Sequence, residues 1–272
     1  HLWAKRYKRE TGDIFELQLE VARNIAEEIE AIITPEEKEQ IEKMPTENLE
    51  AYDYFLQGLD EFYKRSRMGL EKAIILFELA IDHDPEFARA YANIAICYAI
   101  LDMYQYEKKF TEQIEQYAEK AQLLDPKLAQ SLVAKAMFYI SIEAHDQALP
   151  YLEKALEYNP NSSMVINILS DFYTRHMPDT EKYLEYALMG IGLDIAAYDS
   201  LEASLIYLHL SNAFIQSGFI NEAEKYIDLS LEYDPDNTYS ELIRAYVLLA
   251  GGGELTQTKE LLIETLKKDE SR

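Results

Sequence analysis

The chain is poor in the residues that staple, break or recharge a fold. Its one cysteine, Cys97, excludes an internal disulfide and any Cys-x-x-Cys site. Cys97 lies in the apolar stretch ANIAICYAI, so it reads as a small buried hydrophobe rather than a nucleophile. Glycine is scarce, at nine of 272 residues. Three of the nine form Gly251-Gly252-Gly253, which lacks the Lys-Ser/Thr and the preceding strand of a phosphate loop and reads as a helix–helix turn. No run of about 18 apolar residues occurs, so no segment reads as membrane-spanning. Basic charge is also short: 26 Lys and Arg against 50 Asp and Glu give a net charge of -24. Phosphate backbones are repelled by such a surface, which argues against a nucleic-acid partner and favours basic or neutral ones.

Catalytic and metal-binding patterns are missing as well. Histidines 1, 83, 145, 176 and 209 are scattered, with no His-Glu-x-x-His pattern. Asp234-Pro235-Asp236-Asn237 lacks the glycine and alternating ligands of a calcium loop. Acidic pairs such as Glu27-Glu28 and Glu36-Glu37 read as solvated helix faces. The expectation is a chain with no catalytic residue, no metal and no cofactor.

What is present is a helical pattern with a period. At 48% hydrophobic and 28% charged residues, the chain can form a core. Apolar residues recur three and four apart, the spacing of a helix face. The stretch from Asp125-Pro126 to Asn159-Pro160 spans 34 residues between its prolines. It holds two amphipathic segments, one with Leu132, Ala136 and Tyr139, the other with Ala148, Leu152 and Ala155. Such a hairpin cannot bury its apolar face alone and needs stacked copies. Pro85 to Pro126 spans 41, one unit plus seven residues around LDMYQYEKKF, read as one added turn in each helix. Pro160 to Pro235 spans 75, two units with an insertion.

The recurring positions are Gly58, Ala73, Phe77, Ala80 and Pro85; Tyr91, Ala95, Tyr98, Ala121 and Pro126; Leu169, Ser170, Tyr173, Tyr183, Ala187 and Gly190; Tyr207, Leu210, Phe214, Gly218, Ala223, Ile227 and Pro235; and Ala245, Leu248 and Leu262. This pattern resembles tetratricopeptide repeats. It implies an all-α, right-handed α-solenoid of about six helix pairs over 48–272, with repeats near 51–85, 88–126, 129–160, 163–195, 204–235 and 238–270. The polar ending KKDESR suits a terminal cap.

The opening differs. HLWAKRYKRE is basic and reads as a short orphan edge strand over 1–12. An extra amino-terminal helix and linker follow over 13–47, broken by Thr34-Pro35 and Met44-Pro45. Leu2-Trp3, Tyr7, Arg9, Asp13-Ile14-Phe15, Gln18, Val21-Ala22, Ile25-Ala26, Thr34-Pro35-Glu36, Pro45-Thr46 and Asn48 to Tyr52 resemble the tail of a TolB-like amino-terminal domain of bacterial multidomain signalling proteins. With His rather than Met first, the sequence reads as a piece of a longer chain.

In the repeat family the first helix of each unit lines a concave face. The resemblance places Tyr52, Phe55, Leu59, Arg89, Ile96, Met137, Asn167, Asp171, Asn212 and Tyr246 there as a candidate partner-binding groove. Repeats that grip a terminal carboxylate use Lys, Asn and Arg; here only Arg89, Asn93 and Arg175 are available, and Phe55 and Ala92 stand at the Lys positions. The expected ligand is therefore a protein or peptide with an apolar, amphipathic or basic segment. The expected role is a non-catalytic, cytoplasmic interaction module, the docking or sensing region of a larger signalling protein. The alternative is an assembly module, a homodimer through the amino-terminal strand or helix.

Overall fold

The structure, a computed structural model, describes residues 45–193 and 200–270 apart from 65, 104 and 106. The expected orphan strand and nearly all of the extra helix therefore lie outside the described residues. Among the described residues the fold is all-α, twelve helices in six hairpins of the α-solenoid kind. Contacts divide them into two compact units, meeting in sequence at Pro160 and Asn161.

The first unit holds α1 (Leu49–Tyr63), α2 (Arg67–His83), α3 (Ala88–Met103), α4 (Thr111–Leu124), α5 (Ala129–Ser141) and α6 (His145–Tyr158). Asn48 starts α1 by accepting from the backbone N–H groups of Glu50 and Ala51, both at 3.0 Å, which satisfies two orphan donors of the first turn. Ser66 caps α2 through the Gly69 N–H in the same way. At the end of α2, the Asp84 N–H closes on the Ala80 carbonyl, and the Asp84 side chain accepts from the Glu86 N–H. Asp125 repeats both contacts with Ala121 and Lys127. The proline after each aspartate holds it extended and forbids another helical turn. Aspartate and proline together are the hinge between one hairpin and the next.

Small residues then let the helices close. Ala80, Ala121 and Ala155 are fully buried. Gly58 is needed by the crossing of α1 and α2: a β-carbon there would stand 2.5 Å from the Phe77 ring. Phe77 packs on Phe55, whose other side meets Phe87, with ring centroids 5.4 and 4.8 Å apart. Cys97 sits in this core, and burial pushes its thiol up to about 12, so it is an inert hydrophobe.

The long turn of the second hairpin corrects one expectation. Helix α3 has 16 residues against 13 in α5, while α4 and α6 have 14 each. The added residues therefore extend α3 and the connection, and leave α4 unlengthened. The cause is Asp102, buried in the last turn of α3. Its Oδ2 accepts from the backbone N–H groups of Lys109 and Phe110 at 2.9 and 2.7 Å, and the Lys108 ammonium donates to its carbonyl. That capture fixes where α4 begins.

The second unit holds α7 (Ser163–Arg175), α8 (Thr180–Gly192), α9 (Ser200–Gln216), α10 (Ile220–Tyr233), α11 (Thr238–Ala250) and α12 (Leu255–Glu270). Each first helix packs on its own partner and on the next first helix, so α7 meets α9 and α9 meets α11. Gly218 turns α9 into α10 at φ +82°, a conformation that side chains with a β-carbon rarely adopt. A fully buried serine, Ser230, stands where earlier hairpins carry Ala80, Ala121 or Ala155. Its hydroxyl meets those of Ser204 at 3.0 Å and Ser240 at 2.7 Å, tying α9, α10 and α11 together.

One feature repeats through four hairpins across both units. An aromatic ring late in the first helix stacks on a tyrosine in the second: Tyr98 on Tyr117 at 6.1 Å, Tyr139 on Tyr151 at 5.5 Å, Tyr173 on Tyr186 at 5.6 Å and Phe214 on Tyr226 at 5.6 Å. Such pairs contribute about 0.5–1.5 kcal/mol beyond the area they bury.

Candidate interaction surfaces

The ten candidate groove residues divide by burial. Phe55, Ile96 and Met137 are buried, and Phe55 is wedged between Phe77 and Phe87. These three are core side chains that a partner cannot touch without opening the fold. Tyr52, Leu59, Arg89, Asn167, Asp171 and Asn212 are half-buried, and Tyr246 is 47% exposed.

In the first unit, Arg89 opens onto a hollow of about 480 Å³ at the foot of the first two hairpins. Its wall includes the entering segment of chain, which is stapled down by Asn48 donating to the His83 carbonyl at 2.9 Å and by Thr46 bonding to Asp84. Burial holds the Arg89 guanidinium below its ordinary pKa, and Tyr52 and Asp125 oppose that shift. Asn93, the second clamp candidate, is buried and donates back to the Arg89 carbonyl at 2.9 Å. Its amide is thus spent on its own helix.

In the second unit, the fold brings together groups that are scattered in the sequence. Tyr183 on α8 lies 3.3 Å from Nδ1 of His209 on α9, and Asn212 donates to the Tyr183 hydroxyl at 3.0 Å. Asp171 and Arg175, one turn apart on α7, pair at 3.5 Å on the rim. Burial holds the His209 imidazole below the ordinary histidine range; Asp171 opposes this and Arg175 adds to it. Burial also raises the Tyr183 phenol, against the bond from Asn212. The Tyr183 hydroxyl thus joins Asn212 and Nδ1 of His209 in one buried chain of hydrogen bonds. The cluster is a buried polar layer under a mixed rim. His209 and Tyr183 are shielded, so they offer no base or nucleophile to a substrate in solution.

The sequence offers Asp171 and Asn212 as candidate groove residues and reads His209 as a lone mid-helix residue. Its partner Tyr183 lies 26 residues away, a separation with no local signal.

A family model of the tetratricopeptide repeat matches residues 129–162 and 205–237, the α5–α6 and α9–α10 hairpins. These segments are tetratricopeptide repeats. The chain is similar to solved structures of such proteins. A thermophilic TPR protein of Thermus thermophilus aligns at TM-score 0.57 and 16% identity, covering 73% of this chain and 99% of that one. The human IFIT1 dimer with m7Gppp-AAAA aligns at TM-score 0.63 and 17% identity, covering 92% and 55%. Pseudomonas aeruginosa PilF aligns at TM-score 0.51 and 21% identity, covering 65% and 78%. At these identities the likeness is one of fold. A curated Rhizobium meliloti protein assigned as adenylate cyclase 3 is 31% identical over 96 residues. That match covers 35% of this chain and 16% of the cyclase's length. The comparisons lend no support to the TolB-like resemblance of the opening segment. No helix among the described residues is long and apolar enough to cross a membrane.

Proposed function

We propose that the repeats are the protein-docking or sensing region of a larger bacterial signalling protein that works in the cytoplasm. The observation that carries this reading is the rim of the second unit. There the repeat helices α7, α9 and α11 present the Asp171–Arg175 pair, half-buried Asn167 and Asn212, and exposed Tyr246. Aromatic anchors beside polar groups suit a peptide or helix laid across them. A partner with a basic or amphipathic segment fits the net charge of -24. The stretch shared with the cyclase supports the signalling context. The human IFIT1 complex holds a capped oligonucleotide, but the acidic balance here disfavours a phosphate backbone.

Bacterial partners retained by the chain should be identified and then titrated directly against wild type and a Tyr246→Glu, Asp171→Lys variant. Met137 is unsuited to such a test because it is core. Binding that weakens at least about tenfold in a folded variant is the expected result, the loss of one or two interface anchors. Equal affinity would remove the rim from the interface.

A further inference from the structure

The fold of the first unit leaves the charge of Arg89 open. Arg89 stands half-buried on α3 and lines the hollow of about 480 Å³. Among the described residues no hydrogen bond or ion pair reaches its guanidinium. A guanidinium is a planar fork of N–H donors, and a charge drawn out of water is ordinarily paired and hydrogen-bonded.

The acids around Arg89 do not supply that partner. Asp84 and Asp125 line the same hollow, but their carboxylates serve the hinges between hairpins. Asp84 accepts from the Glu86 N–H and from the Thr46 hydroxyl, and Asp125 accepts from the Lys127 N–H. Tyr52 and Asp125 offset the cost of burying the Arg89 charge only in part. Glu47 and Glu86 also line the hollow, and both are exposed, so they give it an acidic rim on the solvent side. Between these charges lie apolar surfaces of Ala88, Leu124 and Leu128.

A cation inside, acids at the rim and an apolar wall between them complement a small molecule that carries both charges. The guanidinium fork matches a planar carboxylate bidentately. A phosphate would bring a second negative charge toward Glu47 and Glu86, which disfavours it. We propose that the hollow binds a free amino acid, its carboxylate on Arg89 and its ammonium toward Glu47 and Glu86. A volume of about 480 Å³ lies within the range of small-molecule sites, about 300–1,000 Å³. The site adds small-molecule sensing to the chain and does not rest on the rim of α7, α9 and α11.

The test is calorimetric titration of the chain with each common amino acid. At least one should bind with a Kd of about 1 mM or tighter. Its N-acetyl form keeps the carboxylate and loses the ammonium, as the last residue of a peptide does; its amide keeps the ammonium alone. Each should bind at least about tenfold more weakly, the loss of one charge-assisted contact. Arg89→Gln should lose at least about tenfold with an unchanged circular dichroism spectrum. A second readout needs no variant. Phenylglyoxal should modify Arg89 at least about fivefold more slowly under saturating amino acid, by mass action, while exposed Arg67 reacts as before. No amino acid binding below about 10 mM overturns the proposal. So does an N-acetyl form as tight as the free amino acid, which would make the hollow a site for a peptide end. Inorganic phosphate binding more tightly than any amino acid, affinity that survives Arg89→Gln, or Arg89 labelling unchanged by the ligand would overturn it as well.

Discussion

Gly58→Ala sets two known magnitudes against each other at one position. In an exposed helix the change stabilises by about 1 kcal/mol, because alanine loses less backbone freedom. Here the new methyl would meet three Phe77 ring carbons at 2.5, 2.6 and 3.1 Å. Carbon atoms prefer about 3.5–4.0 Å, so the ring must retreat by about 1 Å. It has little room to move, since Phe77 is fully buried and packed on Phe55, which itself packs on Phe87. Overpacking of this kind costs about 1–3 kcal/mol. The net expectation is a loss of about 0–2 kcal/mol, against a gain if the contact were soft. Phe77→Leu should relieve the clash, so the double variant should be more stable than the sum of the two single changes by about 1–2 kcal/mol. Urea unfolding with hydrogen exchange at α1 and α2 amides reads the effect in the unit where it arises. A Gly58→Ala protein more stable than wild type, or strict additivity with Phe77→Leu, would refute the reasoning.

Two further expectations concern buried polar groups. Asp102→Ala removes a carboxylate that holds two backbone N–H groups, each such bond being worth about 1.5–3 kcal/mol; exchange at Lys109 to Glu112 should accelerate while α1 amides stay protected, and uniform acceleration would count against a local role. His209 is held below the ordinary histidine pKa by burial, with Asp171, Arg175, Tyr183 and Asn212 facing it. As pH falls through about 6.5 the unfolded chain binds a proton that the folded one refuses, so stability should drop by up to about 1.4 kcal/mol per pH unit. His209→Gln should flatten that slope between about pH 7 and 5, and an unchanged slope would assign it to other groups.

The repeat pattern carried most of the fold, because stacking imposes the same small residues at every crossing. Ala80, Ala121, Ala155 and Gly190 are all buried, and their spacing alone announces paired helices. The groove was harder to read. On α1, Phe55 and Ala51 face the core while Leu59 and Tyr52 lie on the neighbouring stripe. All four are apolar or aromatic, so composition cannot separate the packed stripe from the open one. The ring stacks had a faint signal: Tyr117, Tyr151, Tyr186 and Tyr226 each precede a buried Ala, Leu or Ile of the second helix by one residue. The Tyr183–His209 contact had none, since it joins different hairpins.

The same stacking logic accounts for both the legible and the illegible parts. A second helix must satisfy two neighbours: the first helix of its own hairpin, as α10 meets α9, and the first helix of the next, as α10 meets α11. The inner contact selects small residues on a fixed spacing, which is why it can be read. The outer contact selects larger apolar residues whose need depends on whether another helix follows. In α12 the inner positions Thr258 and Thr265 are filled and satisfied, so the hairpin closes without help. Beside them Leu261 and Leu262 are half-buried, whereas Leu255 and Leu266 stand 71% and 60% exposed, so the closure of the hairpin does not set the need for those two.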